Sequence, residues 1–317
     1  MSRNATRVSF FIAALFAAAG PAAAADCGAL VAAFDQAVAS KSIDGEVTAM
    51  AAFGRSVGCN QRIDEFRRKL IDSMIALADD PQVSAADRQK ALERAEGDMS
   101  IGGTWRHAEH LGDYYARRNN NLKALSWYEA SLSRGASMPS EPISPEDIHR
   151  LKTRASAAKI LASDDDGGKK PATFAESHRE MDGQIAGIYS RALRGAEVEA
   201  VPLPINFVTD ETAFTDVGKQ AVDELAKALS QQPIKQMKLV GHADPRGDRQ
   251  YNLALSKRRA EAVRKYLIDH GVTARIEIDG KGSEEPFDAA LLGRSVTREE
   301  GWALDRRVEW VRDAATE

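Results

Sequence analysis

Apolar residues recur at three- and four-residue steps through the first half of the chain, and alanine is abundant between them. The clearest stripe consists of Ile63, Phe66, Leu70, Met74 and Leu77. This spacing places the apolar side chains along one face of a helix. We therefore predict that residues 26–162 form an all-α region.

One segment of this region has the spacing of a pair of packed helices. Leu111, Gly112 and Tyr115 are followed by Ala124 and then Tyr128. Small and large residues at these offsets resemble one tetratricopeptide repeat, in which a small residue lets two helices approach and an aromatic ring fills the gap. A generic helical bundle with core tyrosines accounts for the same residues, and three or more repeats are usually needed for a stable stack. Both architectures stay open.

The pattern breaks between residues 163 and 195. The segment from Ser163 to Pro171 is charged, contains two glycines and is closed by proline, which is typical of a linker. A single connecting helix is predicted to follow and to stop at Gly195.

From residue 196 to residue 317 the pattern alternates between β-prone segments and amphipathic helices. The predicted strands lie within residues 198–208, 236–240, 276–280 and 307–311, and the predicted helices within 213–231 and 254–270. Strands separated by helices of this length indicate helices packed on a small sheet. The predicted fold class is therefore α+β, with an N-terminal all-α, repeat-like region followed by a C-terminal βαβαβ-type sandwich.

The N-terminus has the pattern of a secretory signal peptide. Arg3 and Arg7 precede an apolar stretch, and a run of small residues follows up to Ala25. An uncleaved membrane anchor is the alternative, but the apolar stretch is shorter than the ~20 residues that span a bilayer. We predict cleavage after residues 1–25 and export to the periplasm. Asp26 precedes Cys27 where lipoprotein processing favours a small neutral residue, so we predict no lipidation.

Charge and cysteine content narrow the range of functions. Cleavage would remove two arginines and no acidic residue, which takes the formal net charge from −4 to −6. Such an acidic chain is a poor candidate for binding nucleic acid, whose phosphates require a basic surface. Cys27 and Cys59 are the two cysteines, and in an oxidising compartment we expect them to form a disulfide, with two reduced core thiols as the alternative.

The histidines give little support to metal chemistry. His107 and His110 are one helical turn apart and could share a metal ion. No third ligand is in view, so we interpret both as ordinary residues of a helix surface and predict no metal and no cofactor.

The residues that carry chemistry cluster around the predicted strand at 236–240. Asp244 lies just past the end of this strand, on the loop that enters the next helix. Asn252 and Arg259 are seven residues apart, which on a helix is two turns with a lag of only ~20°. They point the same way if the helix has already begun at Asn252. A carboxylate, a carboxamide and a guanidinium would then converge at one edge of the sheet.

An aspartate and an arginine in one pocket suit a ligand that carries an ammonium and a carboxylate on the same carbon. The guanidinium can take the carboxylate in a bidentate pair, and the aspartate can take the ammonium. In the periplasm, meso-diaminopimelate in the peptide stem of peptidoglycan offers such a head group. The alternative is a structural ion pair between Asp244 and Arg259 that only joins loop to helix.

These residues also carry a family resemblance. The order Gly-His-Ala-Asp-x-x-Gly (241–247), Tyr-Asn (251–252), Leu-Ser-x-x-Arg-Ala (255–260) and Asp-Arg-Arg-Val-Glu (305–309) resembles the OmpA C-terminal-like peptidoglycan-binding domain over about residues 196–313. The resemblance implies non-covalent binding of the diaminopimelate head. Carried onto matching positions, it gives Asp244 and Arg259 as principal ligands, Asn252 as a helper, Arg306 or Arg307 as a lining residue, and Asp210 as a further candidate.

The predicted function is that of a binding module rather than an enzyme. It would tether a helical platform for an unidentified protein partner to peptidoglycan, at the cell wall or the outer membrane. A cell-wall-modifying enzyme is one alternative, but His242 near Asp244 is best interpreted as a residue that fixes the loop. A stator-like component of a membrane motor is another, although residues 8–20 contain no acidic residue for an ion path.

Overall fold

The computed structural model describes residues 27–311 except for residues 57, 139, 165–199 and 232. The predicted signal peptide and the predicted connecting helix that stops at Gly195 lie outside the described residues. Within the described part of the chain, no helix combines the length and the apolar character needed to cross a bilayer.

The described residues form ten α-helices and four β-strands. The helices are α1 (Cys27–Ala39), α2 (Ile43–Arg55), α3 (Ile63–Asp79), α4 (Ala85–Gly102), α5 (Trp105–Ala116), α6 (Asn121–Ser137), α7 (Pro145–Asp164), α8 (Asp216–Gln231), α9 (Arg249–Asp269) and α10 (Arg298–Asp305). The strands are β1 (Ala200–Leu203), β2 (Gln236–Gly241), β3 (Arg275–Gly280) and β4 (Val308–Val311). Short 3-10 helices lie at Asn60–Arg62 and Ala289–Leu292.

The described chain divides into two compact units, of which the first ends at Phe66. In this unit a disulfide joins Cys27 to Cys59, with their Cα atoms 5.5 Å apart, which confirms the predicted pairing. In the same unit, the ring of Phe66 packs edge-on against Phe34 and stacks on Phe53, with centroid separations of 5.3 and 4.2 Å. The disulfide and the three rings give this short helical segment its core.

The second unit begins at Arg67 and contains the paired helices α5 and α6. Gly112 lies so close to Tyr128 that a Cβ atom at Gly112 would be 2.5 Å from the ring. The Tyr128 hydroxyl donates to Asp113 at 2.8 Å, and its side chain is buried. The expected approach of two helices around a small residue and an aromatic ring is therefore present. The number of true repeats stays a prediction.

His107 is not the helix-surface residue that we expected. It is buried, and its Nδ1 atom accepts a hydrogen bond at 3.0 Å from the Thr104 backbone N–H, at the start of α5. A histidine at the third helical position can satisfy this N–H much as a glutamate does in a capping box, and the sequence spacing alone did not reveal that role. His110 is exposed. Among the described residues, no group of three or more His, Cys, Asp or Glu side chains could hold a metal ion.

The four strands form one mixed sheet in the order β1-β4-β2-β3. Strands β2 and β3 run parallel, while β4 pairs antiparallel with both β1 and β2. Helix α8 buries an apolar stripe that consists of Val217, Ala221, Leu225 and Leu229. Helix α9 packs on β2 and β3 through Leu255, Val263 and Leu267. The predicted fold class is confirmed, although α10 was not predicted.

Helix α9 is pressed unusually close to the end of β2. A Cβ atom at Gly241 would lie 2.0 Å from the backbone oxygen of Ser256, so only glycine fits at this position. The Ser256 hydroxyl in turn accepts a hydrogen bond at 2.9 Å from the N–H of Gly282, beyond β3. This contact fixes the distance between the loop after β2 and the side chains that α9 presents.

Helix α7 connects the helices of the second unit to the sheet. Its last turns pack in a buried apolar cluster that comprises Ala157, Ile160, Leu161, Leu292, Ala303 and Leu304. Arg154 donates from Nε to the carbonyl of Leu291 at 2.9 Å, and from Nη1 to Glu109 and Asp113 on α5. Lys159 pairs with Glu224 of α8 at 2.6 Å. A buried apolar contact and two ion-pair clusters thus hold α5, α7 and α8 together.

Replacing Cys59 by serine should destabilise the first unit. The disulfide closes a loop with a sequence separation of 32 residues. By restricting the unfolded chain, a disulfide across a loop of this length stabilises the folded state by roughly 3–4 kcal/mol, which the variant would lose. Hydrogen exchange measured by mass spectrometry should show faster exchange in α1 and α2 of the variant. Exchange in α8 and α9 provides the internal control, and equal protection of α1 and α2 in both proteins would contradict this role.

Replacing Gly241 by alanine should destabilise the sheet region strongly. The added methyl group would overlap the backbone of α9, and overpacking of this kind typically costs about 1–3 kcal/mol. Denaturant unfolding followed by intrinsic tryptophan fluorescence, to which Trp302 and Trp310 contribute, would measure the change. Gly301→Ala is the matched control, since a Cβ atom there meets no atom within 4 Å. If both variants unfolded at the same denaturant concentration, the proposed close packing would be wrong.

Candidate functional site

A cavity of about 240 Å³ lies at the end of the sheet where β2 leads into α9. Its walls come from the β1–α8 loop, the β2–α9 loop, the first three turns of α9 and the residue after α10. The lining residues are Thr209, Asp210, Ala243, Asp244, Arg246, Gly247, Tyr251, Asn252, Leu255, Arg259 and Arg306. Three arginines and two aspartates therefore line one small space.

Asp244 lies at the centre of the β2–α9 loop, and its carboxylate is almost completely buried. Its Oδ1 atom accepts from the backbone N–H of Arg246 at 3.1 Å and from the Nε of Arg246 at 2.9 Å. Its Oδ2 atom accepts from Nη2 of Arg246 at 2.7 Å and from Nη1 of Arg306 at 3.3 Å. Burial alone would raise the pKa of Asp244, but the hydrogen bonds from Arg246 and Arg306, together with the charge of Arg246, outweigh burial and lower it.

Asn252 points toward the same loop because α9 begins earlier than the apolar pattern indicated. The Asp248 side chain caps the helix by accepting from the N–H groups of Gln250 and Tyr251 at 2.9 and 3.0 Å. The Asn252 amide then donates to the carbonyls of Asp244 and Arg246 at 3.1 and 2.8 Å. Asn252 thus fixes the backbone that presents the Asp244 carboxylate.

Arg259 lies two turns further along α9 and is 1% exposed. It donates from Nε to the Glu211 carbonyl at 3.1 Å and from Nη2 to the Val208 carbonyl at 3.4 Å. Burial, reinforced by the positive charge of Arg306, lowers the pKa of Arg259 to about 10. In the described part of the chain we find no ion pair that neutralises it. The expected alternative, a direct ion pair between Asp244 and Arg259, is therefore not what the structure contains.

Asp210 and Arg306 complete the charged lining. Asp210 is an exposed residue of the β1–α8 loop and adopts a left-handed backbone with φ +61°, a conformation that aspartate tolerates better than most residues. Arg306 follows α10 and reaches Asp244. The neighbouring Arg307 faces the protein interior instead, where its Nε donates to Glu309 at 2.7 Å and its Nη2 to the Glu285 carbonyl at 3.3 Å. Of the two arginines left open by the sequence, Arg306 is the one that lines the cavity.

His242 is buried behind the cavity rather than in its wall. Its Nε2 atom lies 3.3 Å from Glu309 on β4, which also pairs with Arg307. Burial opposes ionisation of Glu309, but His242 and Arg307 outweigh it and lower its pKa to about 2. This buried charge cluster joins the end of β2 to β4, in agreement with the interpretation of His242 as a residue that fixes the loop.

The structure brings all five predicted site residues, Asp210, Asp244, Asn252, Arg259 and Arg306, into the lining of the same cavity. Sequence reasoning missed Arg246, which makes the closest contacts to Asp244, and Tyr251 and Thr209 at the rim. A loop with aspartate and arginine two residues apart, Asp244-Pro245-Arg246, is the sequence signal that could have indicated the contact.

Comparison with known proteins supports the resemblance over this part of the chain. Residues 206–297 match the OmpA family, which confirms the resemblance for that segment. The peptidoglycan-associated lipoprotein of Pseudomonas aeruginosa is 38% identical over 104 residues, which are 32% of this chain and 58% of that protein. The protein of the same name from Agrobacterium fabrum is 42% identical over 83 residues, 26% of this chain and 47% of that protein.

Among solved structures, the peptidoglycan-associated lipoprotein from Burkholderia pseudomallei is similar at 30% sequence identity and a TM-score of 0.30. The match covers 36% of this chain and 89% of that chain. The chain spans about half the length of the curated relatives that it matches.

Replacing Glu309 by glutamine should weaken the fold at neutral pH and flatten its acid response. The lowered pKa means that the ionised carboxylate is the stabilising form. Its contribution is present above about pH 4.5 and is lost as the pH falls toward 2. A shift of this size in a group that is 17% exposed corresponds to roughly 2–3 kcal/mol.

Urea unfolding at a series of pH values between 2 and 7 would measure the effect of this substitution. The control is Glu277→Gln, which removes an exposed carboxylate on β3 that pairs with Arg275. Identical pH profiles for Glu309→Gln and the wild type would rule out the stabilising role of the buried cluster.

Proposed function

We propose that the C-terminal part of the chain binds peptidoglycan non-covalently through the free amino-acid head of diaminopimelate in the peptide stem. Arg259 carries the proposal. It is a buried cation in the wall of a cavity, and within the described part of the chain it donates to two backbone carbonyls, which uses two of the five N–H donors of a guanidinium. A ligand carboxylate would neutralise a charge that is costly to bury.

The arrangement of charges around the cavity favours a ligand with both signs of charge. Asp244 and Asp210 offer carboxylates for an ammonium, while Arg259 and Arg306 offer donors for a carboxylate. The volume of about 240 Å³ is small beside the pockets that enclose drug-sized ligands, which range from about 300 to 1,000 Å³. A cavity of this size accommodates the end of an amino-acid side chain rather than a whole glycan.

The relatives support the same assignment of ligand and location. Several are named peptidoglycan-associated lipoproteins, and another is outer membrane porin F of Pseudomonas fluorescens, 34% identical over 106 residues. We therefore infer that this protein works in the cell envelope, as the predicted signal peptide also indicates. In this proposal the two arginines bind the ligand carboxylate and the two aspartates bind its ammonium. These contacts account for binding without the cleavage of a bond. We therefore propose a binding protein and not an enzyme.

The helical region is proposed to be a platform for a protein partner that the wall-binding part holds at the peptidoglycan. The contacts of α7 support this tether. Ile160 and Leu161 are buried against Leu304, and Arg154 joins α5 to the carbonyl of Leu291. Because these contacts connect α7 to α10 and to the 3-10 helix at Ala289–Leu292, a load on α5 to α7 would pass to the wall-binding part through packed side chains.

Replacing Asp244 by asparagine or Arg259 by alanine should abolish most co-sedimentation with purified insoluble peptidoglycan. Each change leaves a ligand charge without its partner, at a cost of about 2–5 kcal/mol, so binding should fall more than tenfold. The matched control is Arg264→Ala, which removes an exposed arginine from the same helix. Thermal unfolding of each variant separates loss of the ligand contact from loss of the fold, and Asp244→Asn keeps the shape of the side chain.

The composition of the wall tests the ligand itself. Peptidoglycan with diaminopimelate should retain the protein, and peptidoglycan with lysine in its place, which lacks the second carboxylate, should retain much less. Retention of folded Asp244→Asn and Arg259→Ala at wild-type levels would disprove the site, and equal binding to both walls would disprove the ligand. Release of soluble muropeptides by the wild type would instead favour a cell-wall-modifying enzyme.

A further inference from the structure

Arg246 occupies the position on Asp244 that the proposed function assigns to the ligand. A carboxylate offers about four acceptor positions, and Asp244 uses them for the Arg246 backbone N–H, the Nε and Nη2 of Arg246, and the Nη1 of Arg306. An incoming ammonium can form a short hydrogen bond with Asp244 only if one of these donors leaves.

The exposure of the donors indicates which one can leave. The Arg246 side chain is 48% exposed and supplies two of the four bonds, whereas the Arg306 side chain is 17% exposed. The backbone N–H is fixed by the loop, because Asn252 holds the carbonyls of Asp244 and Arg246. Rotation of the Arg246 side chain is therefore the smallest change that frees the carboxylate.

A second surface is available to Arg246 when it leaves. Its guanidinium already lies over the ring of Trp302 on α10, with Cζ 4.6 Å from the ring centroid. A cation over an indole face is attracted to the ring without requiring an acceptor. The side chain can release Asp244 and still keep a contact that holds it at the rim of the cavity.

We propose that Arg246 is a competing side chain that closes the Asp244 half of the site, and that the ligand must displace it. This inference rests on the proposed function. It makes Arg246 a specificity-determining residue: a ligand with a carboxylate but no ammonium cannot replace the guanidinium on Asp244. The zwitterionic head does both tasks, because its ammonium takes the place of the guanidinium and its carboxylate pairs with Arg259.

Removal of the competitor should tighten binding. Calorimetric titration with the soluble tripeptide L-Ala-γ-D-Glu-meso-diaminopimelate should give a dissociation constant for Arg246→Ala that is roughly threefold to tenfold lower than that of the wild type, which is the scale of a partly exposed ion pair. Arg246→Lys keeps the charge but not the bidentate geometry, so its affinity should lie between the two. Arg249→Ala is the matched control, because Arg249 is 80% exposed and pairs with Glu284 outside the cavity lining.

A spectroscopic measurement tests the displacement directly. The Arg246 Nε–H signal in a ¹⁵N spectrum of the wild type should be protected from exchange in the free protein and lose that protection when the tripeptide binds. Unchanged or weaker binding by Arg246→Ala, or an Nε–H that stays protected in the complex, would overturn the proposal while wild-type binding leaves the proposed function intact. If the wild type bound neither the tripeptide nor peptidoglycan, both proposals would fall together.

Discussion

A buried positive charge for which the described residues provide no salt bridge is the constraint on which the candidate site depends. Arg259 is held below the surface by its contacts with the carbonyls of Val208 and Glu211, and its guanidinium lies 5.2 Å from the centroid of the Phe207 ring. Since these contacts belong to the β1–α8 loop, they also determine where Asp210 is placed. A buried cation of this kind raises the energy of the empty state, and a carboxylate ligand would lower it.

On the opposite side of the cavity, the Asp244 carboxylate is buried and held in place by several hydrogen-bond donors. Asp244 is surrounded by donors, and its charge is stabilised by Arg246 and Arg306 before any ligand arrives. The two halves therefore differ: Arg259 makes no salt bridge with the residues that the structure describes, while the acceptor positions of Asp244 are filled. An amino-acid head group can pair its carboxylate with Arg259 and its ammonium with Asp244. This gives a physical reason for the site to prefer a zwitterion over a ligand with only one of the two charges.

Much of this site could be predicted from the sequence, because it depends on periodicity. Asn252 and Arg259 share a helix face through their seven-residue spacing, and Asp244 follows a strand that the apolar pattern marks clearly. The position of Arg246 could not be predicted in the same way, since a contact between residues two apart depends on the backbone angles around Pro245. The start of α9 was placed too late because Asp248 acts as the cap and the residues after it are polar.

Helix α10 was missed for a different reason. It has eight residues and no apolar stripe, and its signal is the capping box formed by Thr297 and Glu300. The contact of α7 with α10 and the 3-10 helix before it was equally hidden, because nothing in the sequence distinguishes Ile160 and Leu161 from an ordinary apolar helix face, whereas in the structure they pack with Leu292 and Leu304. The predicted domain limits at residues 162 and 196 stay a prediction.

A crystal structure of the chain in complex with meso-diaminopimelate would test the account most directly. We predict density for one amino-acid head in the cavity, with its carboxylate within hydrogen-bonding distance of Arg259 and its ammonium on Asp244. A ligand bound elsewhere, or bound with its carboxylate turned away from Arg259, would contradict the account.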